Sequence, residues 1–157
     1  MKLKQLLTAI KYRAEQVPDV DITDLVYDSR KAVPGCAFVC LRGANADGHK
    51  YAKMAAEKGA AVIIAEEPVE APVPVILTEN TRLALAYLSA EFFGHPAEQM
   101  HVIGITGTKG KTTTAFMMRS ILEAAGHKTG VIGTIGGLYG DTLIQTDNTC
   151  LLYTSPS

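Results

Sequence analysis

The residues best suited to chemistry form a segment rich in Gly and Thr, between an apolar run and a helical one. From 104 to 113 it reads Gly-Ile-Thr-Gly-Thr-Lys-Gly-Lys-Thr-Thr. Glycines let a backbone approach phosphate oxygens closely, and amides at a helix start donate hydrogen bonds to them. Lys111 is placed to reach the terminal phosphates of a nucleotide, and Thr112 to give its hydroxyl to Mg²⁺. We therefore predict a phosphate-binding loop for ATP. Its expected contacts are Gly107, Thr108, Lys109, Gly110, Lys111, Thr112 and Thr113.

This loop departs from the general phosphate-loop pattern at one position. The pattern has a glycine five residues before its Gly-Lys pair, where this chain has Ile105. A glycine-rich turn with a surface lysine is the alternative interpretation. A strand, the Gly-Lys-Thr-Thr core and a helix follow in order, which favours the phosphate loop.

The loop requires a strand before it and a helix after it. Val102 to Ile105 is typical of a strand, and a helix is predicted from Lys111 with Ala115, Met118, Leu122 and Ala125 as its apolar stripe. A second strand, Val131 to Ile135, follows. Such a βαβ unit indicates the opening of a doubly wound parallel sheet.

The first half of the chain alternates short apolar runs with helical ones, which predicts a small α/β domain. Strands are expected over 25–27, 36–41, 61–65 and 73–77, with a helix from His49 to Lys58 that stops at Gly59. A second helix follows Asn80, with Leu83, Ala86, Tyr87 and Ala90 as its apolar stripe, and ends at Gly94. We place the domain boundary after Ala97, so that the domains span 1–97 and 98–149.

Composition excludes several classes of protein. The chain has 157 residues, 47% hydrophobic and 20% charged, with a net charge of −1, which gives no footprint for nucleic acid. No run approaches the ~18 apolar residues of a membrane span, so we expect a cytoplasmic protein. Cys36 and Cys40 are expected on one strand face as small buried hydrophobes. The four histidines suggest no metal site, since no carboxylate or cysteine spacing supports one.

The variant loop Gly107 to Thr113 resembles the nucleotide signature of the Mur ligases, which build the bacterial cell-wall peptide. A second group of motifs resembles that family's amino-terminal domain, which holds a uridine nucleotide-sugar. Three further motifs resemble the branch that adds the third amino acid to UDP-N-acetylmuramoyl-L-alanyl-D-glutamate. The second group is Asp28-Ser29-Arg30, Pro34-Gly35, Phe38, Gly43 and Asp47-Gly48. The third is Arg82 to Leu85 with Gly94-His95-Pro96, Gly133 to Gly136, and Asp147-Asn148-Thr149.

This resemblance implies amide-bond formation driven by ATP with Mg²⁺, through an acyl phosphate, between the UDP-N-acetylmuramoyl-dipeptide and a free amino acid. Lys111 is then the catalytic residue and Thr112 the metal ligand. Ser29 has an alternative role, since Asp-Ser pairs often organise turns. The residues that the resemblance assigns to the sugar nucleotide and its peptide are Tyr27, Ser29, Ala44, Asn45, Ala46, Asn148 and Thr149.

Three alternatives remain at this point. A folate-tailing ligase of the same superfamily shares the loop but is not expected to carry the motifs from Asp28 to Gly48. A noncatalytic ATP-binding module and a small-molecule kinase are the others. The third amino acid, lysine or meso-diaminopimelate or another, is chosen in this family by a carboxy-terminal domain that we expect to be missing here. Residues 150–157 are expected to be foreign to the family, and the chain to be inactive alone.

Overall fold

The computed structural model of the protein describes residues 1–43 and 46–144. Contacts within the chain divide it into Met1–Met100, called unit 1, and His101–Ser157, called unit 2. Within the described ranges, no helix is long and apolar enough to span a membrane.

Unit 1 contains a sheet of four parallel strands in the order β1-β2-β3-β4. Every residue of β2 and β3 is buried. Continuous apolar strands of this kind are typical of parallel sheets covered on both faces. The α/β class predicted for the amino-terminal half is therefore confirmed. The strands are β1 (Leu25–Val26), β2 (Ala37–Val39), β3 (Val62–Ala65) and β4 (Val75–Leu77).

Helices cover both faces of this sheet, and side chains alternate between them along each strand. Val39 and Ile64 share a hydrophobic cluster with residues of α1 and α3. Phe38 and Ile63 share the other cluster with residues of α2, together with Cys36 and Cys40. Both cysteines are fully buried on one face, as the sequence predicts. The helices are α1 (Leu3–Leu6), α2 (Ala52–Glu57) and α3 (Thr81–Phe92).

The ends of these helices follow the predicted signals. The Asn80 side chain accepts a bond of 2.9 Å from the Leu83 amide and caps α3. Gly59, just beyond α2, has φ +103°, and a Cβ there would lie 3.0 Å from Cα of Pro34. The helix predicted from His49 begins instead as a 3₁₀ turn over Gly48–Tyr51, followed by α2.

The predicted buried stripe of α3 is wrong. Leu83 and Tyr87 are each 52% exposed, whereas Leu85 and Leu88 are buried with Thr81 and Ala84. Apolar residues occupy both sides of this helix, so helical spacing alone does not choose between the two faces. The chosen face is the one whose leucines join the cluster of α1 and the sheet.

Unit 2 contains one long helix and an antiparallel sheet in the order β5-β6-β7. Ala115, Met118 and Leu122 form the partly buried side of the helix, as predicted, whereas Ala125 is exposed. The elements are α4 (Lys111–Ala124), β5 (Gly130–Gly133), β6 (Gly136–Tyr139) and β7 (Thr142–Ile144).

The predicted strand over 102–105 is not formed in the described part of unit 2. Val102 is 73% exposed and Ile103 is 55% exposed. A parallel strand needs neighbours to accept its hydrogen bonds, and β5 turns back into β6 instead. The predicted limits 1–97 and 98–149 stay predictions, and 150–157 lies outside the described residues.

Candidate functional site

The predicted phosphate loop lies directly before α4. Gly107 has φ +152° and Gly110 has φ +79°, a conformation that only glycine adopts readily. Gly110 is the residue before the first turn of the helix, which begins at Lys111. The free amides of this first turn point away from the helix body and present partial positive charge. Local geometry therefore agrees with an anion-binding role.

Two side chains of the loop have defined partners. Nζ of Lys111 donates a hydrogen bond of 2.6 Å to the carbonyl oxygen of Gly107, so the lysine lies back across the loop. Oγ1 of Thr112 lies 3.3 Å from Oγ1 of Thr134, which directly follows β5. Two hydroxyl oxygens therefore lie together beside the helix start. Thr108, Lys109 and Thr113 are exposed on the loop and the first turn.

The residues predicted to bind the sugar nucleotide follow two neighbouring strands of unit 1. Tyr27 and Ser29 come after β1, and Ala46 belongs to a turn after β2. These strands are adjacent and parallel, so their carboxyl ends share one edge of the sheet. Ligands of open α/β sheets bind outside that edge. Tyr27 and Ser29 thus follow one of these two strands in the chain, and Ala46 follows the other.

A short 3₁₀ turn over Ser29–Lys31 presents the first of these groups. Asp28 accepts from the Arg30 amide, and its carboxylate also receives the Arg30 guanidinium, with a shortest distance of 2.7 Å. The side-chain bonds from Arg30 hold the pKa of Asp28 below its usual range. Nζ of Lys58 donates to the carbonyl oxygens of Ser29 and Arg30, at 3.1 and 3.3 Å. Ser29 is 7% exposed within this arrangement.

After β2, Arg42 pairs with Asp47, and we call these two residues, with Gly43 and Ala46, the Arg42–Asp47 hairpin. Within it the amide of Gly43 donates to the carbonyl oxygen of Ala46 at 2.8 Å, and Ala46 is exposed. Four predicted contacts, Ala44, Asn45, Asn148 and Thr149, lie outside the described residues.

His49, to which the sequence assigned no role, lies beside the predicted site and contacts a carboxylate. Nδ1 of its buried ring lies 2.6 Å from Oδ1 of Asp47, and Nε2 accepts a hydrogen bond of 3.0 Å from the Glu66 amide. The side-chain bond from His49 holds the pKa of Asp47 below its usual range. The sequence Asp-Gly-His contains the signal, because an Asp side chain often accepts from the residue two positions later.

Charged and polar side chains lie near this histidine, after β2, after β3 and at the start of α3. Arg42 forms ion pairs with Glu67 at 2.9 Å, Asp47 at 3.7 Å and Glu66 at 3.8 Å. Oε1 of Glu66 accepts from both the amide and the hydroxyl of Thr81, at 2.9 and 3.0 Å. Burial raises the pKa of Glu66, but the bonds from Thr81 outweigh it and leave that pKa lowered. The same sheet edge is therefore held together by a polar network.

Known proteins resemble this chain over most of its length. The family model described as "Mur ligase family, catalytic domain" matches residues 21–93, and the one described as "Mur ligase middle domain" matches residues 105–155. A relative from Bacillus licheniformis, named UDP-N-acetylmuramoyl-L-alanyl-D-glutamate–2,6-diaminopimelate ligase, is 48% identical over 95% of this chain and 31% of its own length. A relative of the same name from Listeria monocytogenes is 41% identical over 95% and 30%.

Solved structures resemble the chain as well. MurF from Acinetobacter baumannii matches with a TM-score of 0.65 and 36% identity, over 77% of this chain and 27% of that one. A UDP-N-acetylmuramoyl-L-alanyl-D-glutamate–2,6-diaminopimelate ligase matches with a TM-score of 0.69 over 91% of this chain and 30% of that one; at 21% identity it shows the fold alone. The chain spans about a third of the length of the curated relatives that it matches. With two models of one family matched in succession, the chain belongs to the Mur ligase family.

Proposed function

We propose that the protein acts as an ATP-dependent ligase that joins 2,6-diaminopimelate to UDP-N-acetylmuramoyl-L-alanyl-D-glutamate. The observation that carries this proposal is the presence in one chain of the Lys111 loop and of the sheet edge with Tyr27 and Ser29. The names of the relatives supply the amino acid. A cytoplasmic location accompanies the proposal, since ATP and nucleotide sugars are made in that compartment.

In this proposal the loop of unit 2 holds the phosphates of ATP. A Cβ at Gly110 would meet no atom within 4 Å, so the backbone at this position is open to a ligand. The nucleotide supplies the phosphoryl group that activates the substrate carboxylate. Lys111 exchanges its bond to Gly107 for the phosphate oxygens and offsets the charge that develops on them. The remaining proposed contacts are Thr108, Lys109, Thr112 and Thr113.

A magnesium ion fits beside Thr112 by the chemistry of its donors. Hard divalent ions prefer oxygen ligands, and the hydroxyls of Thr112 and Thr134 lie 3.3 Å apart. Such an ion would supply charge neutralisation to the nucleotide phosphates. Thr112 is the residue that we propose as its protein ligand.

Unit 1 contributes substrate positioning rather than chemistry. Tyr27 and Ser29, together with Ala44, Asn45 and Ala46, are the proposed uridine-nucleotide contacts. Correct placement of the carboxylate relative to the phosphate contributes much of the rate of such reactions. Asn148 and Thr149 are the proposed contacts to the muramoyl-peptide.

We propose further that residues 1–97 form the sugar-nucleotide domain and that residues 98–149 open a doubly wound P-loop domain. The match of the middle-domain model supports the second assignment.

A direct assay of the complete gene product tests the proposal. The product is incubated with ATP, Mg²⁺, the UDP-muramoyl-dipeptide and either diaminopimelate or lysine, and the tripeptide product and ADP are quantified by mass spectrometry. We expect ATP-dependent product with diaminopimelate. Product with lysine alone contradicts the proposed amino acid, and nucleotide binding without ADP release favours a noncatalytic module.

A folate substrate assayed in parallel separates the remaining ligase alternative. Ligation of glutamate to a folate, with the muramoyl-dipeptide unused, contradicts the proposal.

A further inference from the structure

His49 connects two parts of the chain that are distant in sequence. Its side chain is 5% exposed, and both ring nitrogens have partners. Because Nε2 accepts from the Glu66 amide, the ring proton resides on Nδ1, which donates to Asp47. Asp47 closes the Arg42–Asp47 hairpin, and Glu66 directly follows β3. The ring therefore ties the hairpin to the end of the neighbouring strand.

A second connection holds the other side of the same hairpin. Nη2 of Arg82, in the first turn of α3, donates 2.9 Å to the carbonyl oxygen of Arg42. Thr81 beside it donates to Glu66, so α3 and the end of β3 are joined as well. Both arms of the hairpin are thus held by groups from outside it.

The backbone next to the hairpin is also packed closely against the chain that follows β2. A Cβ at Gly48 would lie 2.7 Å from the amide nitrogen of Leu41 and 2.9 Å from its carbonyl oxygen. The Gly48 amide also donates to that carbonyl oxygen at 2.8 Å. The segment that carries Asp47 and His49 therefore lies directly against the chain that follows β2.

A metal centre is the competing interpretation of this cluster. Ligand atoms of Asp47, His49 and Glu67 lie within 4.8 Å of one another. However, both nitrogens of His49 are already used in hydrogen bonds, and the Arg42 guanidinium lies 2.9 Å from Glu67. A cation at this position would have to break the bond to the Glu66 amide. The contacts fit a hydrogen-bonded tie between elements better than a cation site.

We propose that His49 is a positioning residue for the sugar nucleotide: its bonds to the Glu66 amide and to Asp47 hold Asp47, and with it the neighbouring Ala46, in place at the end of β3. The inference rests on the proposed function, which assigns Ala46 of this hairpin to the uridine nucleotide. His49 itself touches no reacting atom. Its loss therefore weakens binding of the sugar nucleotide and leaves ATP binding and the chemical step unchanged.

Two substitutions of His49 in the complete ligase each keep one of its two hydrogen bonds. In His49→Asn the amide corresponds to Nδ1 and keeps the bond to Asp47, but it does not reach Glu66. In His49→Gln the oxygen corresponds to Nε2 and still accepts from the Glu66 amide. Because an unpaired buried amide is strongly unfavourable, we expect His49→Asn to raise KM for the sugar nucleotide about tenfold. His49→Gln should stay within about threefold of the wild type, with kcat and KM for ATP unchanged in both.

Binding measurements keep the test independent of turnover. Calorimetric titration with UDP-N-acetylmuramic acid, without ATP, should rank the wild type, His49→Gln and His49→Asn in the same order as their KM values. If the wild-type protein binds the sugar nucleotide but catalyses no ligation, the proposed function is contradicted. The role of His49 can then still be measured from the binding affinities of its variants. Absence of wild-type binding overturns both.

A second variant and a control cover loss of folding. Arg82→Ala removes the other connection at a partly exposed position, and we expect about a threefold rise in Kd for the sugar nucleotide. Lys53→Ala, exposed on α2, should match the wild type. Equal effects of His49→Asn on both substrates, or wild-type affinity in both His49→Asn and Arg82→Ala, would overturn the positioning role.

Discussion

Among the residues of the candidate site, Lys111 is the one whose substitution should lower turnover most. We expect Lys111→Ala in the complete enzyme to lower kcat by about 10² to 10³, because one preorganised charge opposite the transferring phosphoryl group is removed. Its bond to Gly107 is exposed, so the melting temperature should stay near that of the wild type. Steady-state kinetics and thermal unfolding measure both. Lys128→Ala, at an exposed position of unit 2, is the matched control, and near-normal turnover of Lys111→Ala contradicts the assignment.

Asp47 should make stability depend on pH. The side-chain bond from His49 lowers its pKa in the folded protein, so the folded state favours the charged carboxylate. That contribution is present above the unfolded pKa, about 4, and is lost as pH falls through the lowered folded value. We expect the free energy of unfolding to decline over this acidic window, and to decline less steeply in Asp47→Asn. Urea unfolding at a series of pH values measures it, and equal slopes would remove Asp47 from the explanation.

At the scale of elements, the contact between Gly48 and the end of β2 has the sharpest consequence. Gly48→Ala places a Cβ 2.7 Å from a backbone atom of Leu41, and backbone does not yield as a flexible side chain does. We expect unit 1 to lose about 1 to 3 kcal/mol of unfolding free energy. Gly104→Ala, where a Cβ would meet nothing within 4 Å, should change stability by less than about 0.5 kcal/mol. Chemical denaturation compares them, and equal effects would contradict the packing account.

Elements with strong local signals were predicted from the sequence, and those decided by tertiary contacts were not. The buried strands β2 and β3, the cap at Asn80 and the stop at Gly59 follow from apolar runs and backbone chemistry within a few residues. The buried face of α3 depends on which cluster receives it, and Glu66, whose amide donates to His49, lies 17 residues from that histidine in the chain. Spacing along the chain carries no information about such contacts.

On the scale of the whole molecule, unit 1 has a hydrophobic core of its own. Both clusters of buried side chains contain residues of unit 1 alone. We expect residues 1–100, expressed separately, to fold and to bind UDP-N-acetylmuramic acid weakly and without ATP, because the edge with Tyr27 and Ser29 lies within that segment. NMR titration should show shifts at Ser29 and Ala46. Shifts that occur only in longer segments would contradict a site contained in unit 1.

The alkylation rate of the two cysteines beside β2, Cys36 and Cys40, reports how often unit 1 unfolds. Burial raises the pKa of both thiols, and that of Cys40 reaches about 12, so neither is a thiolate near neutral pH. An alkylating reagent reaches them only when the sheet separates, so the labelling rate reports how often it opens. Peptide mass spectrometry distinguishes these sites from Cys150. Any substitution that loosens the sheet should therefore be detectable as faster alkylation long before it lowers activity.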